Sequence, residues 1–176
     1  MFKWLQKQDI RFYSFLTSRQ VSPKVNKFLR FYTRLGDGYV WVLVLIVLFS
    51  QNTWIELQPM VVRALTAAGV SLALYWLVKL STRRKRPFVA LKEVKAQVPP
   101  LDKYSFPSGH VMNNIAPGMV IFMLNPFIGW IVVLMPLSWG MLRVYFGVHW
   151  LSDIIAGALL GVLSAFISLF VLFPPL

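Results

Sequence analysis

The chain is predicted to be all-α: a polytopic membrane bundle of about five transmembrane helices, preceded by amphipathic helices lying in the interface. Three observations predict this. Of its 176 residues, 57% are hydrophobic and only 14% charged, less charge than a water-soluble domain of this size carries. The apolar residues gather into runs near the length of about 20 that a helix needs to cross a bilayer. The net charge of +12 gathers mainly between those runs, as in a protein that meets anionic headgroups.

The elements follow in order. Residues 1–37 are basic, and Lys3, Lys7, Arg11 and Arg19 interrupt the first stretch, so no signal peptide is read there. Phe2 to Leu16 carries a weak amphipathic pattern. Ser22-Pro23 predicts a helix cap followed by proline at the first helical position. After it Val21, Val25, Phe28, Leu29, Tyr32 and Leu35 recur at helical spacing, with Lys24, Lys27, Arg30 and Arg34 in between. That pattern predicts a helix lying in the interface.

Residues 38–176 form the membrane core of what reads as one domain over 1–176. Spans are expected at Gly38–Ile55, Met60–Leu80, 108–124, 127–146 and 150–173. Arg63 and Lys79 lie near the ends of the second, within snorkelling reach of the interface. Val111 to Leu142 holds no charge and is too long for one span; Asn125-Pro126 divides it. Pro174-Pro175 closes the last span, and residues 81–106 form a basic loop. Trp4, Trp41, Trp54, Trp130 and Trp150 fall near span ends or in the interfacial segment and read as interfacial anchors. Gly157-x-x-x-Gly161 permits close helix contact, either within the chain or in a homodimer.

Three polar islands interrupt this apolar chain: Lys79-x6-Arg86-Pro87, Pro107-Ser108-Gly109-His110 and Arg143-x5-His149-x3-Asp153. The only two histidines of the chain each belong to one of them. Charges beside a membrane span are expensive and mark function. With alternating spans, the helix ends that carry the islands all lie on one membrane face, so they can share a pocket.

Residue chemistry suggests what the pocket binds. Pro107-Ser108-Gly109-His110 opens a helix, whose free N–H groups and partial positive charge suit an oxyanion. Lys79, Arg86 and Arg143 supply three cations against one nearby acid, Asp153; arginine grips phosphate with two prongs and lysine adds a point charge. Taken singly, Lys79 and Arg86 fit snorkelling, whereas Arg143 is the only formal charge between Val111 and Ser152. His149 and Asp153 are one helical turn apart, so the carboxylate can hold one ring nitrogen while the other attacks. These types assemble into phosphoryl transfer through a phosphohistidine: His149 as nucleophile, Asp153 orienting it, His110 as general acid and base, and Lys79, Arg86, Arg143, Ser108 and Gly109 around the phosphate. The cations take the part magnesium plays elsewhere, so no cofactor is expected. With no cysteine, two histidines and six acids, a multi-ligand metal cage is not expected either. The partners expected are a lipid phosphate and membrane lipids, not nucleic acid.

In order and spacing these islands resemble the three signatures of the type 2 phosphatidic acid phosphatase superfamily, K-x6-R-P, P-S-G-H and S-R-x5-H-x3-D. The resemblance runs from Lys79 to Asp153. It implies a helical membrane enzyme, of the bacterial inner membrane, that removes phosphate from lipid phosphates or diphosphates without a metal, with roles on the residues as assigned above. The serine that precedes the arginine in the family is Leu142 here. The substrates this implies are a polyprenyl diphosphate such as undecaprenyl diphosphate, phosphatidylglycerol phosphate, phosphatidic acid or a lipid A phosphate. A lipid-to-lipid phosphotransferase with the same site, and a non-catalytic lipid transporter or scaffold, are the other readings. Every Lys and Arg except Arg63 falls on the face of the islands. The positive-inside rule puts that face in the cytoplasm, while the resemblance implies the outer leaflet, so the orientation stays open.

Overall fold

The computed structural model describes residues 3–18 and 21–173. It is helical throughout: α1 (Lys3–Thr17), α2 (Pro23–Arg34), α3 (Tyr39–Gln51), α4 (Trp54–Thr82), the single turn α5 (Pro87–Ala90), α6 (Gly109–Leu124), α7 (Pro126–Tyr145) and α8 (Leu151–Phe166). A 3-10 turn, Leu35–Asp37, links α2 to α3, and α8 continues as a π-helix over Ile167–Leu172. The all-α class is therefore as the sequence predicts. Phe2 and Pro174-Pro175 lie outside the described residues.

Helix α6 is the hub, packed against α4, α7 and α8. Val111, Met112, Ile115, Ala116, Val120 and Ile121 are buried around its circumference. A helix that is apolar on every side finds enough partners only in the middle of a bundle. The Gly157 and Gly161 face of α8 lies directly on α6. A Cβ on Gly157 would stand 2.8 Å from the Ser108 carbonyl oxygen, and one on Gly161 2.8 Å from that of Met112. The close approach is thus used inside the chain, and the homodimer face expected there is already covered.

Helix ends follow local chemistry. Ser22 Oγ accepts from Val25 N at 3.4 Å with Pro23 at the first position, as the sequence predicts. Asn125 Oδ1 caps α7 through Ile128 N. The N–H and hydroxyl of Thr53 both donate to Glu56 Oε2, at 2.7 and 2.9 Å. This capping starts α4 at Trp54, six residues before the predicted span, and α4 runs 29 residues through Pro59. The same break leaves α3 with 13 residues, roughly 20 Å at 1.5 Å per residue and short of a hydrocarbon core of about 30 Å. Among the described residues α4, α7 and α8 with its extension are each long and apolar enough to cross a membrane, and α2 with α3 makes a fourth candidate only as one span bent by 66°, against the five spans expected.

The amphipathic helices dock on the bundle. Leu29 packs beside Val98, Phe146 and Val148, and the Tyr32 ring is tilted 59° against Trp139 with its hydroxyl 2.7 Å from Ser138 Oγ. Val25, Phe28 and Phe31 of α2 stay exposed, beside basic residues, on the outside. Phe12, Tyr13 and Leu16 of α1 join the cluster of Val111, Val144 and Ile154. Among the tryptophans Trp4, Trp54 and Trp130 are exposed, as anchors should be. Trp150 is buried and donates to the Lys85 carbonyl oxygen at 3.0 Å, and Trp41 donates to Asn114 Oδ1 at 2.8 Å. Trp150 is thus a core residue and Trp41 is half-buried against the core, because their N–H groups find partners inside.

Because backbone atoms face Gly161, Gly161→Ala must push α8 away from α6. A destabilisation of about 1–3 kcal/mol is expected, read as a lower thermal midpoint of the purified protein in detergent. An unchanged midpoint would show that α8 has room to spare.

Candidate active site

The three islands meet. Arg86 closes the turn after α4, extended backbone before Pro87, and its side chain is buried to 1% exposure. Its Nη1 donates to the Val148 carbonyl oxygen at 2.7 Å and lies 3.2 Å from His149 Nε2. Its Nη2 donates to Asp102 Oδ1 at 2.9 Å, and its Nε to the Asp102 main-chain oxygen at 3.0 Å. This ties the first island to the third. The second joins them where the Ser108 N–H donates to the Asp153 carbonyl oxygen at 3.0 Å.

The partners of His149 decide which nitrogen carries its proton. A guanidinium only donates, so Nε2, facing Arg86, is the accepting nitrogen. Nδ1 then bears the proton and faces Asp153 Oδ2 at 3.4 Å. The same Oδ2 accepts the Trp150 N–H at 2.8 Å. Burial first, then the fields of Arg86, Arg143 and Lys79, hold His149 well below the usual imidazole range. It is neutral, with a lone pair directed at the cations.

Arg143, near the end of α7, is 4% exposed. Its side chain makes no ion pair or hydrogen bond among the described residues, and its Nε is buried without a partner. A buried, unpaired cation costs several kcal/mol, so the geometry calls for an anion beside it. Its main-chain oxygen accepts the N–H groups of Val148 and His149, which sets the turn that presents the imidazole. Leu142 packs against Val98, Phe146 and Val148, so it contributes apolar contact where the family has a hydroxyl.

At the start of α6, Met112 N bonds the Ser108 carbonyl oxygen, which leaves the first N–H groups of the helix without intrahelical acceptors. Ser108 Oγ is buried with no partner among the described residues. A Cβ on Gly109 would sit 2.9 Å from the Tyr75 ring, so this glycine seats α6 on α4. His110 Nε2 lies 2.7 Å from Asp37 Oδ1. That is ion-pair distance, although the direction is off line for a hydrogen bond and Nε2 has no formal partner.

Asp9, Asp37, Arg84 and Asp102, which sequence reasoning passed over, complete the site around the residues it named. Lys79 does not snorkel: it is fully buried, with Nζ donating to both Asp102 oxygens at 2.9 Å and to the Tyr104 carbonyl oxygen at 3.0 Å. Arg84 Nη1 donates to Asp153 Oδ1 at 2.6 Å and Nη2 to Asp9 Oδ2 at 2.6 Å. Asp9, buried on α1, also accepts the N–H and hydroxyl of Ser152. Thus four acids, Asp9, Asp37, Asp102 and Asp153, face the cations in place of the one expected. Asp37 carried a readable signal, an acid between Gly36 and Gly38 closing a basic helix. Asp9 and Asp102 carried none, since each is a lone acid in a basic stretch. Burial pushes the Asp102 carboxyl up, but the Tyr75 and Lys79 hydrogen bonds and the charges of Lys79 and Arg86 outweigh this and hold it at about 2.

Beside His110 an apolar cavity of about 590 Å³ opens between α3, α4 and α6, lined by residues such as Trp41, Val44, Leu48, Ala64 and Pro117. Asp37 and Leu101 line both this cavity and a smaller one of about 190 Å³ that includes Arg143.

Known proteins resemble this chain. An undecaprenyl-diphosphatase of Sulfolobus acidocaldarius is 27% identical over 91% of this chain and 76% of its own length. Undecaprenyl-diphosphatase BcrC of Bacillus subtilis is 29% identical over 74% of this chain and 65% of its own. The bacitracin transport permease protein BcrC of Bacillus licheniformis is 38% identical over 80 residues, which span 46% of this chain and only 39% of that protein. The crystal structure of Aquifex aeolicus LpxE superposes with a TM-score of 0.75 at 28% identity, covering 90% of this chain and 93% of that one. A transmembrane PAP2 type phosphatidylglycerolphosphate phosphatase from Bacillus subtilis superposes with a TM-score of 0.70 over 95% and 85% of the two chains; at 23% identity that likeness is one of fold. Residues 60–174, which include all three islands, match the PAP2 superfamily, and the chain belongs to it.

Proposed function

We propose that this lipid phosphate hydrolase acts on a polyprenyl diphosphate through a phosphohistidine on His149. The observation that carries the mechanism is the imidazole itself, with Nδ1 toward Asp153 and the Nε2 lone pair toward Arg86. In the first step Nε2 bonds to phosphorus as the bond from phosphorus to the leaving oxygen breaks. His110 gives that oxygen a proton, with Asp37 beside its ring to balance the charge. Arg143, the start of α6, Lys79 and Arg86 stabilise the equatorial oxygens. In the second step His110 takes a proton from water, the water oxygen bonds to phosphorus, and the bond to Nε2 breaks. Inorganic phosphate leaves and both histidines return to their starting states.

Two observations support the substrate class. The relatives named undecaprenyl-diphosphatase cover most of this chain. The cavity beside His110 is lined mostly by apolar residues, which suits a phosphate joined to a hydrocarbon chain. The membrane is taken to be a cytoplasmic one.

His149→Ala is expected to lower phosphate release by about a thousandfold or more while the protein still folds in detergent; substantial residual turnover would reject the nucleophile. His110→Ala should cost about 10²–10⁴-fold and let a labelled, acid-labile phosphoenzyme accumulate, and no label on the protein would reject the covalent route. Wild-type activity should persist in EDTA. Across polyprenyl diphosphate, phosphatidylglycerol phosphate, phosphatidic acid and lipid A phosphate, the first should show the highest kcat/KM; a higher value for another would reassign the substrate. Phosphate release measured with and without a lipid acceptor separates hydrolysis from transfer.

Asp9 and Arg84 act as positioning residues for Asp153. Asp9→Asn should lower kcat roughly 10- to 100-fold with KM little changed. Equal loss in both, or in folding alone, would make α1 a structural prop only.

A further inference from the structure

Lys79 and Arg86 are not free to meet a ligand. All three Lys79 protons are used, two of them on the Asp102 carboxylate, and Arg86 gives that residue two donors. Tyr75 also donates its hydroxyl to Asp102, and the Tyr104 N–H donates to Asp102 Oδ1 at 3.1 Å. A carboxylate oxygen pair presents to these groups what two oxygens of a phosphate would present. Lys79 and Tyr75 stand on α4, and Arg86 is pinned by Val148 and His149. Asp102 stands on the irregular stretch between α5 and α6, so it is the member that can give way.

Any pocket of cations at a membrane face meets bulk phospholipids far more often than substrate. Their headgroups are phosphodiesters, with one negative charge on the phosphate. A terminal phosphate carries about −1.5 to −2 at neutral pH because its second pKa is about 6. A diester that replaces the Asp102 carboxylate exchanges one negative charge for another and gains little, whereas a terminal phosphate or diphosphate gains the difference. We propose that Asp102 is a specificity-determining residue, a charge filter that reserves Lys79 and Arg86 for headgroups ending in phosphate and refuses phosphodiesters. The carboxyl is held at about 2, so the filter stays charged at physiological pH. The proposal rests on the reading of this site as one for phosphate.

The test compares wild type with Asp102→Asn, which keeps the shape and the main-chain acceptor but removes the charge. Binding of inorganic phosphate, at a mildly alkaline pH where it is mainly the dianion, and of phosphatidylglycerol is measured by calorimetry on purified protein in detergent micelles, with no turnover required. Wild type should bind phosphate and refuse phosphatidylglycerol; in the variant both should tighten, because the shared competing anion is gone, and phosphatidylglycerol should bind roughly tenfold tighter or more and compete with phosphate for the site. If both bind as in wild type, or both weaken, Asp102 merely holds the cations in place and the filter is overturned while the phosphate site stands. If phosphate binds neither protein, the phosphate site itself is overturned, and the filter with it. Tyr75→Phe, which loosens one hold on Asp102, should tighten phosphatidylglycerol in the same direction and serves if the asparagine variant fails to fold; unchanged phosphatidylglycerol binding there also overturns the filter.

Discussion

The structure depends on how a buried guanidinium is satisfied. Arg86 is withdrawn from both water and lipid, so every donor it carries must find an acceptor inside the bundle. It finds them on the turn before α8, on the imidazole of His149 and on Asp102. Segments far apart in sequence are thereby held at one point. Arg86 sets the tautomer of His149, braces the turn that the Arg143 main-chain oxygen forms, and shares with Lys79 and Tyr75 the hold on Asp102. Lys79, one helical end away, repeats the pattern with the same carboxylate.

Around that point the site is arranged as two pairs of imidazole and carboxylate with unlike surroundings. His149 and Asp153 are wholly enclosed, and Asp153 is held from three sides by Trp150 N, Arg84 and His149. His110 and Asp37 both line the apolar cavity, with the partly exposed Asp37 on the turn between α2 and α3. The enclosed pair suits a nucleophile that must be desolvated and fixed. The pair lining the cavity suits a group that exchanges protons with a leaving oxygen and with water. Between them Arg143 alone keeps its charge uncommitted among the described residues, which makes it the cation ready for an incoming anion.

The N-terminal helices belong to this arrangement. Asp9 of α1 reaches Ser152 and Arg84, and through Arg84 it reaches Asp153. Asp37 follows α2 directly. Apolar side chains of both helices lie partly on the bundle and partly outside, at Trp4, Phe28 and Phe31. The packing of these helices on the bundle and the placement of both carboxylates are therefore linked.

Periodicity and composition made the all-α membrane class legible. Asn125-Pro126 and Ser22-Pro23 marked helix starts that the structure reproduces, because caps and prolines act through neighbours in sequence. The catalytic-type residues were legible as well, since K-x6-R-P, P-S-G-H and R-x5-H-x3-D are local spacings. Where those residues placed themselves was less so. Lys79 at a span end reads equally as snorkelling or buried, and only a partner 23 residues away, Asp102, decides it. Trp41 and Trp150 read as interfacial anchors until acceptors on Asn114 and the Lys85 backbone draw them inside. Gly157 and Gly161 announce close contact without naming the helix they contact, and α6 proved to be that helix. The sequence by itself determined the class of the fold, its local caps and the chemical groups of the site, because these depend on residue type and short spacing. Only the tertiary structure decided which acid neutralises which cation, because the cost of burying charge is settled between side chains that the chain brings together from a distance.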